Sequence, residues 1–507
     1  MRKYNIGIKT ALAVFVVALS ACSSDNDVVD NNPNNQEKPV SGKAMTFHAS
    51  MDGEGDNATR TYFRGNSTAW AANDNIYVLN NADVPEETDR LTEAVFGISS
   101  GIGSKEADFE GGPIKANGND EDDFYAFYPS SSYNTTSKKM TGNIPAVQYA
   151  TDTTYNQALH FMTAHSTNST FEFKNVCALL KITLTGNSTD NSNPVCRVKV
   201  VANPTLSAMN AQEFTYTSIA GDFEATVNTD GIATATPTED KKTFVELRAP
   251  SDNGTATTSL GNGTFYMVVL PATLSKNDDV IYGFTLLLEK KDGTIYQRVN
   301  TSIKSFDRNQ MINLGSYNCS GTPSGMTALT DVVDLDLPSG TLWATKNVKQ
   351  DGTLVDNIVD YGGCFSWGKT EAKNWQSVYH PLADKYRIPE LGGDGTTLKG
   401  VNDMAYNTNP LYCMPIYAQM YEFYYHFSNA NKETLKETHT SWGVTITDGA
   451  WAKFTAPTGT GRFILLPYAG YYYNGKTREN TEGRYWSRTY WDTATSDPYV
   501  YDLDFKN

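Results

Sequence analysis

A stretch near the C-terminus combines aromatic rings with cations at close spacing. "GRYWSRTYW" (residues 483–491) follows "LLPYAGYYYNG" (residues 465–475). Aromatic faces stack on the apolar faces of sugars, and an arginine guanidinium binds hydroxyls or carboxylates. The candidate ligand-binding residues are Tyr472, Arg484, Arg488, Tyr490 and Trp491. The alternative is that aromatic side chains here build a core, which we expect for Tyr471, Tyr473 and Trp486.

Charge and motif content exclude several other kinds of chemistry. The formal net charge is -16, which disfavours nucleic acid as a partner because phosphate binding needs a basic face. The chain contains no GxSxG, HExxH or GxxxxGK[ST] motif, and its histidines show no ligand spacing. We therefore expect no enzymatic activity, no cofactor and no metal site. No Glu-Pro-Asn or Gln-Pro-Asp tripeptide is present, so a calcium-dependent sugar site is not expected.

The N-terminus has the pattern of a secretory signal. Arg2 and Lys3 precede an apolar stretch at 6–19, and "LSAC" ends at Cys22. This stretch is too short for a membrane-spanning helix, and a cysteine at the cleavage point resembles the lipobox of bacterial lipoproteins. The resemblance implies acylation of Cys22 and anchoring in membrane lipid. The acidic, polar residues that follow resemble the surface-export signal of Bacteroidetes lipoproteins, which implies the outer face of the outer membrane.

The elements that position these residues are mostly strands. From residue 45 to about 319, short apolar or alternating runs are separated by turn residues, and no window keeps a helical period. Asp292-Gly293 between two such runs predicts a β-hairpin. Five cysteines follow Cys22 without disulfide or metal spacing, so most are expected to be small buried side chains.

Several motifs in this half resemble fimbrillin-family proteins. They are "TRTYF" with the later "AWAANDNIYVLN", "FYAFYPSSSYN", "IPAVQYA", "KNVCALLKITLTG" and "FDRNQMINLGSYN", in the family's order. The resemblance covers roughly residues 45–320. It implies two transthyretin-like β-sandwiches and, for many members, assembly into pili by insertion of a strand from another subunit.

Arg60 is the residue of interest in that resemblance. Fimbrillins that polymerise are cut after an Arg or Lys that follows the first strand, and here the first strand is "MTFHAS" (residues 45–50). Met45, Phe47 and Ala49 are predicted to face one groove at a sheet edge. Arg64 is the alternative site of proteolytic maturation. The open alternative is a fimbrillin-like lipoprotein that is never cut.

The last third resembles the major paralogous domain of Fibrobacter-type surface proteins, which implies an α+β C-type-lectin-like fold. The motifs are "VVDLDLPSGTLWATKNV", "YGGCFSWGKTEAK", "YCMPIYAQMYEFYYHF", "GRFILLPYAGYYYNG" and "GRYWSRT". The family's Trp-Arg-Met-Pro is Tyr-Cys-Met-Pro in this chain. Pro415, followed by Ile416, Met420, Phe423 and Phe427 at helical spacing, predicts a helix packed on the "FILLP" strand.

The expected architecture is mainly β, with an α+β C-terminal domain. The predicted domains are a signal peptide (1–21), a tether (22–44), two sandwiches (45–173 and 174–319), a linker (320–327) and a lectin-like domain (328–507). The function predicted from these parts is a tip subunit of a pilus, whose head binds a host or bacterial glycan or protein. The alternative is a monomeric outer-membrane lipoprotein that binds such a ligand without joining a pilus.

Overall fold

Strands dominate the described part of the chain, which confirms the expected mainly β class. The computed structural model describes residues 45–51, 69–82, 92–114, 122–151, 155–188, 191–206, 214–277, 280–281, 283–349, 351, 353–360, 364–365, 372–373, 405, 411, 413–427, 432–441, 444–457, 460–468, 472–473, 476–477, 482–490 and 500–506.

The N-terminal strands form a barrel and contribute to sheets that are completed by later strands. They are β1 (Met45–Met51), β2 (Asn75–Asn80), β3 (Glu93–Ser100), β4 (Glu106–Gly111), β5 (Phe124–Tyr128), β6 (Tyr133–Asn134), β7 (Lys139–Ile144), β8 (Val147–Tyr149), β9 (Met162–Ser166) and β10 (Thr170–Asn175), with 3-10 turns at Ser130–Ser132 and Gln157–Leu159.

The middle of the chain is built almost entirely of strands. They are β11 (Ala178–Thr185), β12 (Val195–Ala202), β13 (Thr205–Leu206), β14 (Phe214–Thr215), β15 (Gly221–Val227), β16 (Ala233–Pro237), β17 (Phe244–Arg248), β18 (Gly263–Val269), β19 (Ala272–Thr273), β20 (Ser275–Asn277), β21 (Val280–Ile281), β22 (Phe284–Lys290), β23 (Ile295–Asn300), β24 (Ser305–Phe306), β25 (Met311–Asn318) and β26 (Thr327–Leu329).

The C-terminal region, which we define as the chain from residue 330 onward, has the α-helix Tyr417–Phe427 among its described elements. Its elements are β27 (Val332–Asp334), β28 (Leu342–Ala344), β29 (Cys364–Phe365), β30 (Ala372–Lys373), α1 (Tyr417–Phe427), β31 (Lys432–Ser441), β32 (Val444–Thr455), β33 (Phe463–Pro467), β34 (Tyr472–Tyr473), β35 (Lys476–Thr477), β36 (Glu482–Tyr490) and β37 (Val500–Lys506).

The first strands close into a barrel in the order β1-β10-β9-β5-β2-β3-β4. Hydrogen bonds close the sheet of the expected N-terminal sandwich, because β1 pairs with both β4 and β10. Strand alternation sends one set of side chains inward, and aromatic rings fill the interior. The fully buried aromatic residues are Phe47, Trp70, Phe96, Phe109, Phe124, Phe171 and Phe173.

Three sheets form what we call the central β-unit: β18-β11-β25, β26-β23-β22-β12-β17-β8 and β16-β15-β7-β6. They share one core, to which Met140, Ile182, Val198, Phe223 and Leu286 contribute from five strands. Although β7 and β8 precede β9 in sequence, they pair with β15 and β17 of this unit. The barrel therefore ends at β5 and resumes at β9.

The predicted hairpin at Asp292-Gly293 is confirmed. Strands β22 and β23 pair in antiparallel register on either side of it. Gly293 has a φ of 87°, a left-handed conformation that glycine adopts without steric cost.

The predicted helix near Pro415 is also confirmed. It begins at Tyr417, and the carbonyl of Ile416 accepts from the amides of Gln419 and Met420. Met420, Phe423 and Phe427 are buried in one core with Ile464 and Leu466 of β33, and Phe423 and Phe427 contact Phe454 of the adjacent β32, so the helix packs on the sheet that contains "FILLP". Within the described residues, no helix is both long and apolar enough to span a membrane.

The segment predicted as a linker ends inside a sheet. Thr327 starts β26, which pairs antiparallel with β23 and extends the six-stranded sheet. Met326, directly before it, is buried in the core of the central β-unit. The junction between the central β-unit and the C-terminal region is therefore ordered by packing and backbone hydrogen bonds.

Candidate strand-exchange site

Strand β1 presents one apolar face to the barrel interior. Phe47 and Ala49 are fully buried, and Met51 is nearly so. Met45 is partly buried against the same core. The predicted common face of Met45, Phe47 and Ala49 is thus confirmed, and Met51 extends it by one alternation.

Phe47 is the largest inward side chain of this strand. Its ring lies 4.9 Å from that of Phe96 and 5.1 Å from that of Phe124, both edge to face. It stacks on Phe171 at 4.9 Å with an interplanar angle of 23°. Fully burying such a side chain stabilises the fold by about 1.5–3 kcal/mol, so the contact between β1 and the barrel depends heavily on this one ring.

The backbone of β1 is hydrogen-bonded on both sides. Residues 45–50 pair antiparallel with β4, and residues 48–51 pair parallel with β10. The expectation that this strand occupies a sheet edge is therefore wrong. Strand β1 lies between β4 and β10 and closes the barrel. Its removal would expose two facing edges, each with unpaired amides and carbonyls.

The outward face of β1 adds polar contacts that are exposed to solvent. His48 Nδ1 lies 2.9 Å from Asp108 Oδ1, and Ser100 Oγ donates to Asp108 Oδ2 at 2.7 Å. Hydrogen bonds from His48 and Ser100 lower the pKa of Asp108. Exposed pairs of this kind contribute little to stability, so the backbone ladder and the apolar face hold β1.

The chain on either side of residues 52–68 is anchored at one end of the barrel. The Met51 amide donates to the Lys105 carbonyl at 3.1 Å. Trp70, which is 1% exposed, donates from Nε1 to the same Lys105 carbonyl at 3.1 Å, and its backbone bonds Gly103 and Ser104. The barrel thus holds Trp70 by contacts that do not involve β1.

The predicted functional residues differ in how far the structure describes them. Cys22, Arg60, Arg64 and Trp491 lie outside the described residues. Tyr472 lies in β34, whereas Arg484, Arg488 and Tyr490 lie in β36. These four are described at the backbone only, so their role as a ligand surface stays a prediction. In the described part of the chain, no group of three or more His, Cys, Asp or Glu could hold a metal ion.

Sequence reasoning missed two features of the β1 site. The pairing of β1 with both β4 and β10 has no local signal, because it joins residues far apart in the chain. The anchoring role of Trp70 could have been suspected, since a tryptophan at the start of a β-rich region is usually core.

Comparison with known proteins identifies the family of the chain. The sequence model of the fimbrillin-like family matches residues 59–313, which is half of the chain, and the chain belongs to this family. No curated protein matches.

The chain aligns with solved structures from Bacteroides and Porphyromonas species. A putative cell adhesion protein from Bacteroides uniformis is 16% identical, with 56% of this chain and 96% of that chain covered and a TM-score of 0.33. The tip fimbrial protein Mfa3 from Porphyromonas gingivalis, with a C-terminal truncation, is 11% identical, with 56% and 97% covered and a TM-score of 0.27. The fimbrial anchor protein Mfa2 from Porphyromonas gingivalis is 11% identical, with 59% and 95% covered and a TM-score of 0.25.

Proposed function

We propose that this protein is a pilus subunit of the cell surface that assembles by exchange of its first strand. Two findings support the proposal: membership of the fimbrillin-like family, and a first strand that is paired on both sides and buried on one face. Cleavage after Arg60, or after Arg64, separates β1 from the rest of the chain. The groove that β1 leaves then accepts a strand from another subunit.

The geometry of β1 gives the exchange its driving force. An empty groove exposes the rings around Phe47 and the unpaired edges of β4 and β10, and each is costly in water. An incoming strand with apolar residues at alternate positions restores both kinds of contact. Trp70 keeps its bonds to the turn at 101–105 throughout, so the remaining barrel keeps the shape that receives the new strand.

The C-terminal region is proposed as a lectin-like head. A head in this place fits a subunit at the pilus tip, because a tip subunit accepts a strand and does not need to donate one. Its ligand would be a glycan or a protein, bound through Tyr472, Arg484, Arg488, Tyr490 and Trp491. Before maturation, acylated Cys22 would hold the chain in the outer membrane.

The test is a double substitution at the two proposed cleavage residues. Arg60→Ala with Arg64→Ala should give a chain that reaches the surface as a monomer and is absent from SDS-resistant polymers. The matched control is Lys241→Ala, an exposed basic residue in the turn between β16 and β17, which should enter polymers like the wild type. Wild-type polymerisation of the double variant would instead favour a surface lipoprotein that does not mature at these residues.

A further inference from the structure

Three adjacent inner strands of the six-stranded sheet in the central β-unit are buried on both faces. Every residue of β12, β17 and β22 is buried. One face contributes Val198, Val200 and Leu247 to the core of the unit. The other carries charged side chains, which normally point to water. Another part of the protein must therefore cover this charged face.

The cover comes from the C-terminal region. Lys199 Nζ donates to Asp334 Oδ2 and to Asp336 Oδ1, both at 2.8 Å. Arg197 Nη2 donates to Asp334 Oδ2 at 2.9 Å. The two aspartates follow each other at a spacing of two residues at the end of β27 and just beyond it. Both cations lie on β12. Ion pairs therefore join β12 to the end of β27, although the two strands are far apart in the chain.

The remaining guanidinium donors of Arg197 are satisfied within the sheet. Nε donates to Glu289 Oε2 at 2.7 Å, and Nη1 donates to Glu246 Oε2 at 2.8 Å. Arg462, directly before β33, places Nη1 3.3 Å from the same Glu289 Oε2. We call this set the buried charge cluster, and its members are Arg197, Lys199, Glu246, Glu289, Asp334, Asp336 and Arg462.

The pKa values of Asp334 and Asp336 are lowered by the cations around them. Burial alone would raise the pKa of Asp334, but the charges of Lys199 and Arg197 outweigh it and hold the pKa well below its usual range. Arg197, Lys199, Glu246 and Asp334 are all fully buried. These four charges are therefore stabilised by their ion-pair partners and not by water.

A second contact joins the same two parts of the chain. Glu422 of α1 accepts from Tyr216 Oη at 2.8 Å and from the Ser339 amide at 2.7 Å. Thr243 Oγ1 donates to the Pro338 carbonyl at 2.5 Å. Alternate residues of the segment 334–338 thus make polar contacts with the central β-unit.

We propose that the buried charge cluster is a device that fixes the C-terminal region to the central β-unit in one orientation. This goes beyond assembly by strand exchange and does not depend on it. Buried ion pairs are seldom more stable than apolar packing of equal volume, but they fix register, because a displaced carboxylate loses its cation. A C-terminal region held in this way keeps a constant direction relative to the central β-unit.

The decisive variant removes one charge of the cluster from the full chain. Lys199→Met leaves Asp336 without its hydrogen-bonded cation. Amide hydrogen exchange over 332–344 and 417–427 should then accelerate on the order of a hundredfold, because breaking a buried pair leaves an uncompensated charge. Exchange in β11 and β18, on the opposite side of the core, should stay as in the wild type.

The matched control is Lys139→Met. Lys139 Nζ lies 2.8 Å from Glu224 Oε2, but both side chains of this pair are more than a third exposed, so exchange should not change. Asp336→Asn is the second variant if Lys199→Met does not fold, since it keeps size and removes only charge. Wild-type exchange over 332–344 in either variant would overturn the proposal. Equal acceleration in all three sheets would also overturn it, because the cluster would then support only the central core.

Discussion

The ring of Phe47 contacts Phe96, Phe124 and Phe171 at centroid distances of about 5 Å, so its loss leaves a cavity among rings that cannot easily close it. Phe47→Ala should therefore lower the free energy of unfolding of the uncleaved chain by about 3–5 kcal/mol. Urea unfolding followed by tryptophan fluorescence measures this directly, because Trp70 lies in the same core.

Thr46→Ala is the control for that change. Thr46 is on the same strand but exposed, and its replacement should alter stability by no more than about 0.5 kcal/mol. A Phe47→Ala variant as stable as Thr46→Ala would mean that β1 contributes little to the closed barrel.

His160 gives the fold a defined sensitivity to acid. Its ring is buried and donates from Nε2 to Asn175 Oδ1 at 2.7 Å, and burial lowers its pKa from 6.5 to about 4. In the unfolded chain the imidazole takes up a proton near pH 6.5, whereas in the folded chain it does so only near pH 4. Stability should therefore fall between pH 7 and pH 4, by roughly 3 kcal/mol from this residue.

A His160→Gln variant tests this assignment. Glutamine can keep the hydrogen bond to Asn175 but cannot titrate, so the variant should lose less stability than the wild type between pH 7 and pH 4.5. Urea unfolding at both pH values gives the comparison. An identical decline in both proteins would show that other groups cause it.

At the scale of elements, the proposed strand exchange predicts that a peptide can replace β1. A chain that begins at residue 61 lacks β1 and should be stabilised by a synthetic peptide of residues 45–51. A peptide with Phe47→Asp should not bind, because it would bury a charge among the rings of the groove. Thermal unfolding of the chain with each peptide measures the difference, and equal effects of both would argue against a specific strand groove.

The elements with a strong local signal could be predicted from sequence. Alternation in "MTFHAS", the Asp292-Gly293 turn and the spacing of Met420, Phe423 and Phe427 each gave the right element. Pairing between distant strands could not be predicted, because it depends on which edges meet. The closed barrel, the transfer of β7 and β8 to the central β-unit and the partners of Arg197 and Lys199 all belong to this class.

At the scale of the whole molecule, the C-terminal region covers the charged face of β12. The alternation in "CRVKVVA" gives no sign that residues 334–336 cover it. The predicted linker at 320–327 carries little apolar surface, which implies a C-terminal domain that folds by itself. The buried charge cluster predicts the opposite, since a separate fragment of residues 328–507 would lack Arg197 and Lys199, the cations that hydrogen-bond Asp334 and Asp336.

Strand exchange requires that β1 has been cut from the rest of the chain in assembled pili. The measurement is the N-terminal residue of this protein in SDS-resistant polymers isolated from native cells, determined by mass spectrometry. We predict Thr61, or Gly65 if Arg64 is the residue used, with acylated Cys22 found only on chains outside the polymers. Polymers whose chains begin at Cys22 and still contain residues 45–51 would contradict strand exchange.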